Sequence, residues 1–367
     1  MSNPSPLERY RHDIEYQGFQ EDAAQAAAVS LLDKLYLDLL AQNEARVKTW
    51  FSWFRKQDTQ PLRGLYFWGG VGRGKTYLMD LFYDALPFEK KLRTHFHRFM
   101  RSVHSELKQL KDASDPLEIV AEKFAKRYRV ICFDEFFVVD ITDAMILANL
   151  LDALFRRGVC LVATSNIVPS GLYKDGLQRA RFLPAIDLLE RHTKVVNVDG
   201  GTDYRLRALK QSELYYTPLS ADADKALDRC FHALVPADEH VHKDAEIEVE
   251  GRLIQVRLEG DGVAWFDFYA LCDGPRSQND YIELAREYHT VLLSQVPCFG
   301  EKNDDQARRF IYLVDEFYDR NVKLIISAEK PFLELYTQGR LSFEFERTQS
   351  RLQEMQSEEY LASAHKG

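Results

Sequence analysis

Gly64-Leu65-Tyr66-Phe67-Trp68 is a short apolar run, and Gly69-Gly70-Val71-Gly72-Arg73-Gly74-Lys75-Thr76 follows it directly. The second stretch fits G-x-x-x-x-G-K-[ST]. Helical spacing then returns over 75–86, with Leu78, Leu81, Phe82 and Ala85 apolar. A buried strand, a glycine-rich turn and an amphipathic helix, in that order, form the setting in which this motif cradles phosphate. Glycines let backbone N–H groups turn inward around phosphate oxygens without a Cβ in the way. The helix N-terminus adds its positive dipole end. Lys75 would place a point charge between the terminal phosphates, and the Thr76 hydroxyl would ligate Mg²⁺. Gly69, Gly70, Val71, Gly72, Arg73, Gly74, Lys75 and Thr76 are therefore the expected nucleotide-binding residues.

Outward from this loop, strands and helices alternate. The pattern predicts strands over 91–99, 129–133, 159–164 and 194–198, and helices over 101–111 and 142–157. Such alternation gives a parallel sheet with helices on both faces, an α/β core. Val130-Ile131-Cys132-Phe133-Asp134-Glu135 reads as a buried strand delivering carboxylates at its C-terminal end, where an open α/β sheet puts its ligands. Asp134 would hold Mg²⁺, directly or through water, and Glu135 would polarise the attacking water. Pure binding needs no second carboxylate, so the pair points to hydrolysis. Leu161-Val162-Ala163-Thr164-Ser165-Asn166 is a strand ending in small polar groups. Asn166, or alternatively Ser165, would reach the γ-phosphate and orient the water with Glu135.

Flanking segments change character. Residues 1–60 read as helical, with Ala28, Leu31, Leu32, Leu35 and Leu39 on one stripe and Trp50, Trp53 and Phe54 on a second that ends near Pro61. The core spans 61–218. In the C-terminal region, 219–367, residues 221–243 are polar and mixed, and 246–268 alternate as an antiparallel meander. Its turns fall at Glu250-Gly251 and Gly260-Asp261-Gly262. Ser277 and Asp280 form a capping box for a helix to about residue 288. Further strands are expected over 289–296 and 322–328 around a helix over 306–320, then a charged helix over 345–364.

Composition narrows the function classes. Forty-eight Lys+Arg against 57 Asp+Glu give a net charge of −9, which argues against the phosphate backbone of nucleic acid as the main target. No run of about 18 apolar residues is present, so no membrane-spanning helix is expected. Residues 1–22 carry Glu8, Asp13, Glu15, Glu21 and Asp22 and no apolar signal core, so a cytoplasmic protein is expected. Cys132, Cys160, Cys230, Cys272 and Cys298 are odd in number and never closely paired, which fits buried small hydrophobes better than disulfides or zinc.

At these residues the chain resembles an AAA+ ATPase, and specifically the ZapE family, bacterial cell-division ATPases with lactation-elevated, AFG-type relatives in mitochondria. Besides the phosphate loop, the carrying segments are His95-Phe96-His97-Arg98-Phe99-Met100, Cys132-Phe133-Asp134-Glu135-Phe136, Thr164-Ser165-Asn166 with Pro169, and Gly176-Leu177-Gln178-Arg179 with Phe182 and Pro184. Asp280-Tyr281-Ile282, Ala307-Arg308-Arg309-Phe310 and Arg351-Leu352-Gln353-Glu354-Met355-Gln356-Ser357 continue the likeness to the far end. The resemblance implies an Mg²⁺-dependent ATPase acting as a ring homo-oligomer, associated with the division septum and lowering the stability of FtsZ polymers. It also implies an arginine from one subunit at the neighbour's γ-phosphate, for which Arg179 and then Arg181 are the matching positions. Arg351 and Arg205 are the candidates for a second, nucleotide-sensing arginine. The mitochondrial relatives imply the alternative, a nucleotide-switched adaptor delivering proteins to a protease or chaperone.

Weaker signals have structural readings. His95 and His97 alternate on the expected strand and face one side as packed histidines. His240-Val241-His242 lies in a polar connection. Val314-Asp315-Glu316 imitates a carboxylate strand but sits at helical spacing with Phe310, Leu313 and Phe317. Gln25, on the early helix, is a candidate for recognising adenine.

Overall fold

The computed structural model describes residues 4–16, 22–49, 62–70, 74–110, 113–199, 206, 209–210, 212–235 and 241–366, with the backbone alone for 44–49. Val71, Gly72, Arg73, Trp50, Trp53, Phe54, Arg205 and His240 lie outside the described residues. The chain divides into two compact units, Met1–Thr202 and Asp203–Gly367. That division lies upstream of the change in composition near Pro218.

In the first unit, strands β1 (Gly64–Trp68), β2 (Lys91–His95), β3 (Val130–Asp134), β4 (Cys160–Ser165) and β5 (Thr193–Asn197) form one sheet in the order β2-β3-β4-β1-β5. Every neighbouring pair is parallel. The period of two sorts their side chains between two cores. Leu65, Phe67, Val130, Cys132, Cys160 and Val162 pack on one face with α1 (Pro6–Tyr16), α2 (Ala23–Thr49) and α3 (Lys75–Ala85). Tyr66, Ile131, Phe133, Leu161 and Ala163 face the other way. They pack against α4 (Phe96–Gln109), α5 (Pro116–Arg127), α6 (Ile141–Arg156) and α7 (Leu183–His192). This is the expected α/β core, a parallel sheet with helices on both faces.

One local expectation is corrected, and two features go beyond the sequence pattern. β2 stops at His95 because Phe96, Phe99, Met100 and Val103 recur at helical spacing and are all buried, so α4 begins there. His95 and His97 therefore do not alternate on a strand. α5 and α7 escape the alternation pattern; each starts with a proline in its first two positions, where the missing N–H is harmless. Finally, Asp22 accepts from the N–H groups of Ala24 and Gln25 at 2.8 and 3.0 Å and so fixes the start of α2.

The second unit carries a six-stranded sheet, β6-β11-β10-β9-β8-β7. β7 (His242–Val249), β8 (Arg252–Gly260) and β9 (Val263–Asp267) are the antiparallel meander. Both turns leave two residues with positive φ, Glu250 and Gly251 at 48° and 72° and Asp261 and Gly262 at 50° and 74°, the I′ pattern that suits a twisted hairpin. β9 then pairs in parallel with β10 (Thr290–Val296), which continues in parallel through β11 (Lys323–Ala328) to β6 (Tyr215–Tyr216). Helices α8 (Ala221–Leu234), α9 (Phe268–Cys272), α10 (Gln278–Glu287), α11 (Asp304–Asp319), α12 (Ser342–Glu354) and α13 (Glu358–Ala362) cover it. The expected single tail helix is two, because Ser357 caps a new start by accepting from the Tyr360 N–H. α8 replaces the expected polar connection.

All five cysteines are free, four of them buried. Burial pushes the Cys160 thiol up to about 12, and it raises Cys132, Cys230, Cys272 and Cys298 as well. Among the described residues, no helix is long and apolar enough to cross a membrane.

Candidate nucleotide site

The five parallel strands of the first unit open their carboxyl ends on one edge, where α/β sheets bind ligands. β1 leads into Gly69, whose N–H donates to Ser165 O at 3.3 Å, while the Val198 N–H donates to Trp68 O at 2.9 Å. The start of the phosphate loop is thereby pinned between the ends of β4 and β5. At its far end Gly74 has φ 74°. A Cβ there would stand 2.5 Å from the Gln25 side-chain nitrogen, so only glycine fits. Lys75 begins α3 and turns its ammonium back onto the loop, donating to Gly69 O at 2.8 Å and Gly70 O at 2.6 Å. Thr76 follows it in the first turn.

β3 brings Asp134 and Glu135 to the same edge. Glu135 sits at φ 49°, a left-handed conformation unusual for a carboxylic residue. Its backbone N–H donates to the Thr164 hydroxyl at 3.3 Å, and the Phe136 N–H to Thr164 O at 2.7 Å. Ser165 is fully engaged: its hydroxyl donates to Phe136 O at 2.7 Å and accepts from the Ile167 N–H at 3.1 Å. Ser165 thus clamps the exit of β3 to that of β4. Asn166, next along, makes no hydrogen bond among the described residues, which leaves its amide available where Ser165 is not.

Asp134 is not a solitary ligand. Its Oδ2 accepts from Arg93 Nε at 2.7 Å, and the same guanidinium donates through Nη1 to the carboxylate of Asp80 on α3. Burial disfavours the Arg93 charge, but Asp134 and Asp80 together raise its pKa above the ordinary arginine value. Asp80 is only 3% exposed. Neither Arg93 nor Asp80 stands out by motif. The available signal is an acid placed inside the apolar stripe Leu78, Leu81, Phe82.

The remaining candidates are placed as follows. Gln25 is buried in the first turn of α2, against Gly74. Arg179 lies in a short 3₁₀ turn, Arg179–Arg181, and its Nη2 donates to Ser170 O at 2.7 Å. Among the described residues no hydrogen bond or ion pair joins it to Lys75, Asp134 or Glu135. Arg181 is exposed. Arg351, on α12, is held within the second unit by Asp315, by Asp319 at 3.7 Å and by the Tyr318 ring at 4.8 Å. Asp315 and Glu316 belong to helix α11, as their spacing indicated. The His95 and His97 rings stand 6.0 Å apart. Among the described residues no group of three or more His, Cys, Asp or Glu could hold a metal.

These residues fit a magnesium nucleotide. A loop closed to any Cβ at Gly74, with a lysine folded over it, suits phosphate oxygens. Thr76 and Asp134 offer hard oxygen donors of the kind a divalent cation takes.

Residues 4–364 match the model of the family described as AFG1-like ATPase. The chain is 49% identical over 375 aligned positions to the cell division protein ZapE of Escherichia coli (strain K12), across 100% of this chain and 99% of that protein. It is 38% identical over 347 positions to lactation elevated protein 1 homolog B of Danio rerio, across 83% of this chain and 69% of that one.

Proposed function

The chain belongs to the AFG1-like ATPase family and is an ATP-hydrolysing enzyme, and on that premise we propose that it couples hydrolysis, with Mg²⁺, to destabilising FtsZ polymers in cell division. The observation that carries this reading is the likeness, over essentially the whole of both chains, to an E. coli protein named for cell division. The resemblance to the ZapE family supplies FtsZ as target, the ring homo-oligomer and a cytoplasmic place at the septum.

In the site, the loop from Gly69 through Gly70, Val71, Gly72, Arg73 and Gly74 binds the phosphates by backbone N–H groups, and Lys75 supplies the charge. Thr76 and Asp134 hold the cation, which supplies neutralisation of the charge that develops on the phosphates. Glu135, set beside Asp134 by the left-handed turn, accepts the proton of the attacking water, and Asn166 orients that water with it. Arg179 serves the neighbouring subunit's γ-phosphate, as the resemblance implies.

Two measurements test this. In sedimentation of FtsZ polymers, ATP with this protein should leave less polymer in the pellet than a non-hydrolysable analogue does. Equal pelleting would remove the coupling and favour a nucleotide-timed adaptor. In the isolated enzyme, Lys75→Ala should lose nucleotide binding, whereas Glu135→Gln should retain ATP and hydrolyse it about 10²-fold or more slowly. Wild-type turnover in Glu135→Gln would end the assignment of the base.

A further inference from the structure

We propose that Arg93 is a resident counter-ion that keeps Asp80 and Asp134 from taking a divalent cation until nucleotide is bound. The inference rests on the reading of Asp134 as a cation holder and adds to it the condition under which that holder is open. Arg93 lies on β2, opposite Cys132 of β3, and Asp134 follows Cys132 by two residues on the same face. Asp80 projects from α3, the helix that the phosphate loop starts. One guanidinium reaches both acids, with Nε 2.7 Å from Asp134 Oδ2 and Nη1 bonded to Asp80. The side chains of Asp80 and Asp134 are 4% and 14% exposed, so water screens them poorly.

Two carboxylates within one guanidinium's span, with Thr76 four residues before Asp80 on α3, would be an oxygen-rich site for a hard cation if nothing else balanced them. Arg93 cancels one of the two negative charges and occupies an oxygen of each acid. Without nucleotide the two acids are therefore half-neutralised, and a divalent ion must displace the guanidinium to enter. A triphosphate brings several negative charges to the loop, and only then is the cation drawn in. By reciprocity, the cation strengthens nucleotide binding by the same factor.

The test uses the full chain and Mn²⁺ as the probe, with free Mn²⁺ read by its paramagnetic resonance signal. Wild type should bind Mn²⁺ with a non-hydrolysable ATP analogue and hardly without it. Arg93→Gln, which keeps a planar group and loses the charge, should bind Mn²⁺ without nucleotide about tenfold or more tightly than wild type. Arg93→Lys, which keeps the charge, should behave as wild type, and Arg93→Gln with Asp80→Asn should lose the gain. A folded Arg93→Gln with no gain overturns the proposal. Should that variant not fold, the double variant keeps the test, because Mn²⁺ binding to it without nucleotide contradicts the charge balance. Asp134→Asn separates the two levels. With nucleotide present it should weaken Mn²⁺ about tenfold or more. If it does and Arg93→Gln gains nothing, only the role of Arg93 falls. If it does not, the assignment of Asp134 falls and takes the proposal with it.

Discussion

Gly74 shows what a single position contributes to the site. Its φ of 74° is one that an L side chain adopts at a penalty of about 1–2 kcal/mol, and a Cβ would also drive into Gln25 at 2.5 Å. Gly74→Ala is therefore expected to lower the melting temperature and to abolish nucleotide binding, measured by thermal denaturation with and without ATP. Adding Gln25→Ala removes the collision and leaves the dihedral, so stability should recover only in part. Full recovery would show that crowding, not backbone conformation, selects glycine. The left-handed turn at Gly74 answers to a demand that is local, because a backbone of that φ must lead into α3. Arg93 and Asp80 were not legible in the sequence, because their pairing is made by the register of β2 on β3 and by α3 lying beneath them. Ser165 and Asn166 were left as alternatives for a similar reason. Only the tertiary bond from Ser165 to Phe136 O shows which of them is already engaged.

At the scale of elements, α10 makes the case for a local signal reused by tertiary structure. Ser277 and Asp280 form the capping box that their spacing indicates. The structure adds that Arg252 grips both oxygens of the fully buried Asp280, at 2.5 and 2.6 Å, and that Glu283 accepts from the Glu250 N–H at 2.8 Å. The first hairpin of the meander is thus fastened to α10. Asp280→Ala removes the acid that Arg252 and Ser277 both bond and should destabilise the second unit by about 1–3 kcal/mol in urea unfolding. Ser277→Ala, which removes the hydroxyl and its bond to Asp280 but leaves the Arg252–Asp280 pair, should cost about 1 kcal/mol. In the first unit, α7 ends at His192, whose ring stacks on Phe155 of α6 with centroids 4.2 Å apart. Burial, and then Arg191, hold its pKa below the ordinary 6.5. The unfolded chain consequently takes up the proton first as pH falls below about 6.5, and stability declines with it. His192→Phe keeps the stacked ring without the proton, so its melting temperature should drop less than wild type between pH 7 and 5. Elements with a clean stripe or cap were legible. α8 was hidden because Asp222, Asp224, Lys225, Asp228 and Arg229 crowd the stretch that also carries its buried stripe of Ala223, Leu227, Cys230, Phe231 and Leu234.

For the molecule as a whole, the alternation of strands and helices made the first sheet legible, but the second sheet was only half visible. The meander declares itself through turns and a period of two. The parallel half needs crossovers from β9 to β10 and from β10 to β11, whose pairing no local pattern encodes. What the sequence does hold is near-continuous apolar runs, Val291-Leu292-Leu293 and Leu324-Ile325-Ile326, the mark of strands covered on both faces. In the structure these runs divide between two cores. Val291, Leu293, Leu324 and Ile326 join the cluster around Phe310 and Tyr281, while Leu292 and Ile325 join the one around Leu227 and Phe231. Every residue of both clusters comes from Asp203–Gly367, just as both clusters of the first sheet come from Met1–Thr202. A unit with its own sheet and cores on both faces holds what independent folding requires. A fragment of residues 203–367 should therefore unfold in urea as one sigmoidal transition and gain no stability from magnesium and ATP. A fragment of residues 1–202 should gain about 2.7 kcal/mol when ATP stands a hundredfold above its Kd. A gradual, non-sigmoidal melt of 203–367 would mean that its two clusters do not close a core by themselves. Stabilisation of that fragment by ATP would place a phosphate site where the sequence has no loop to form one.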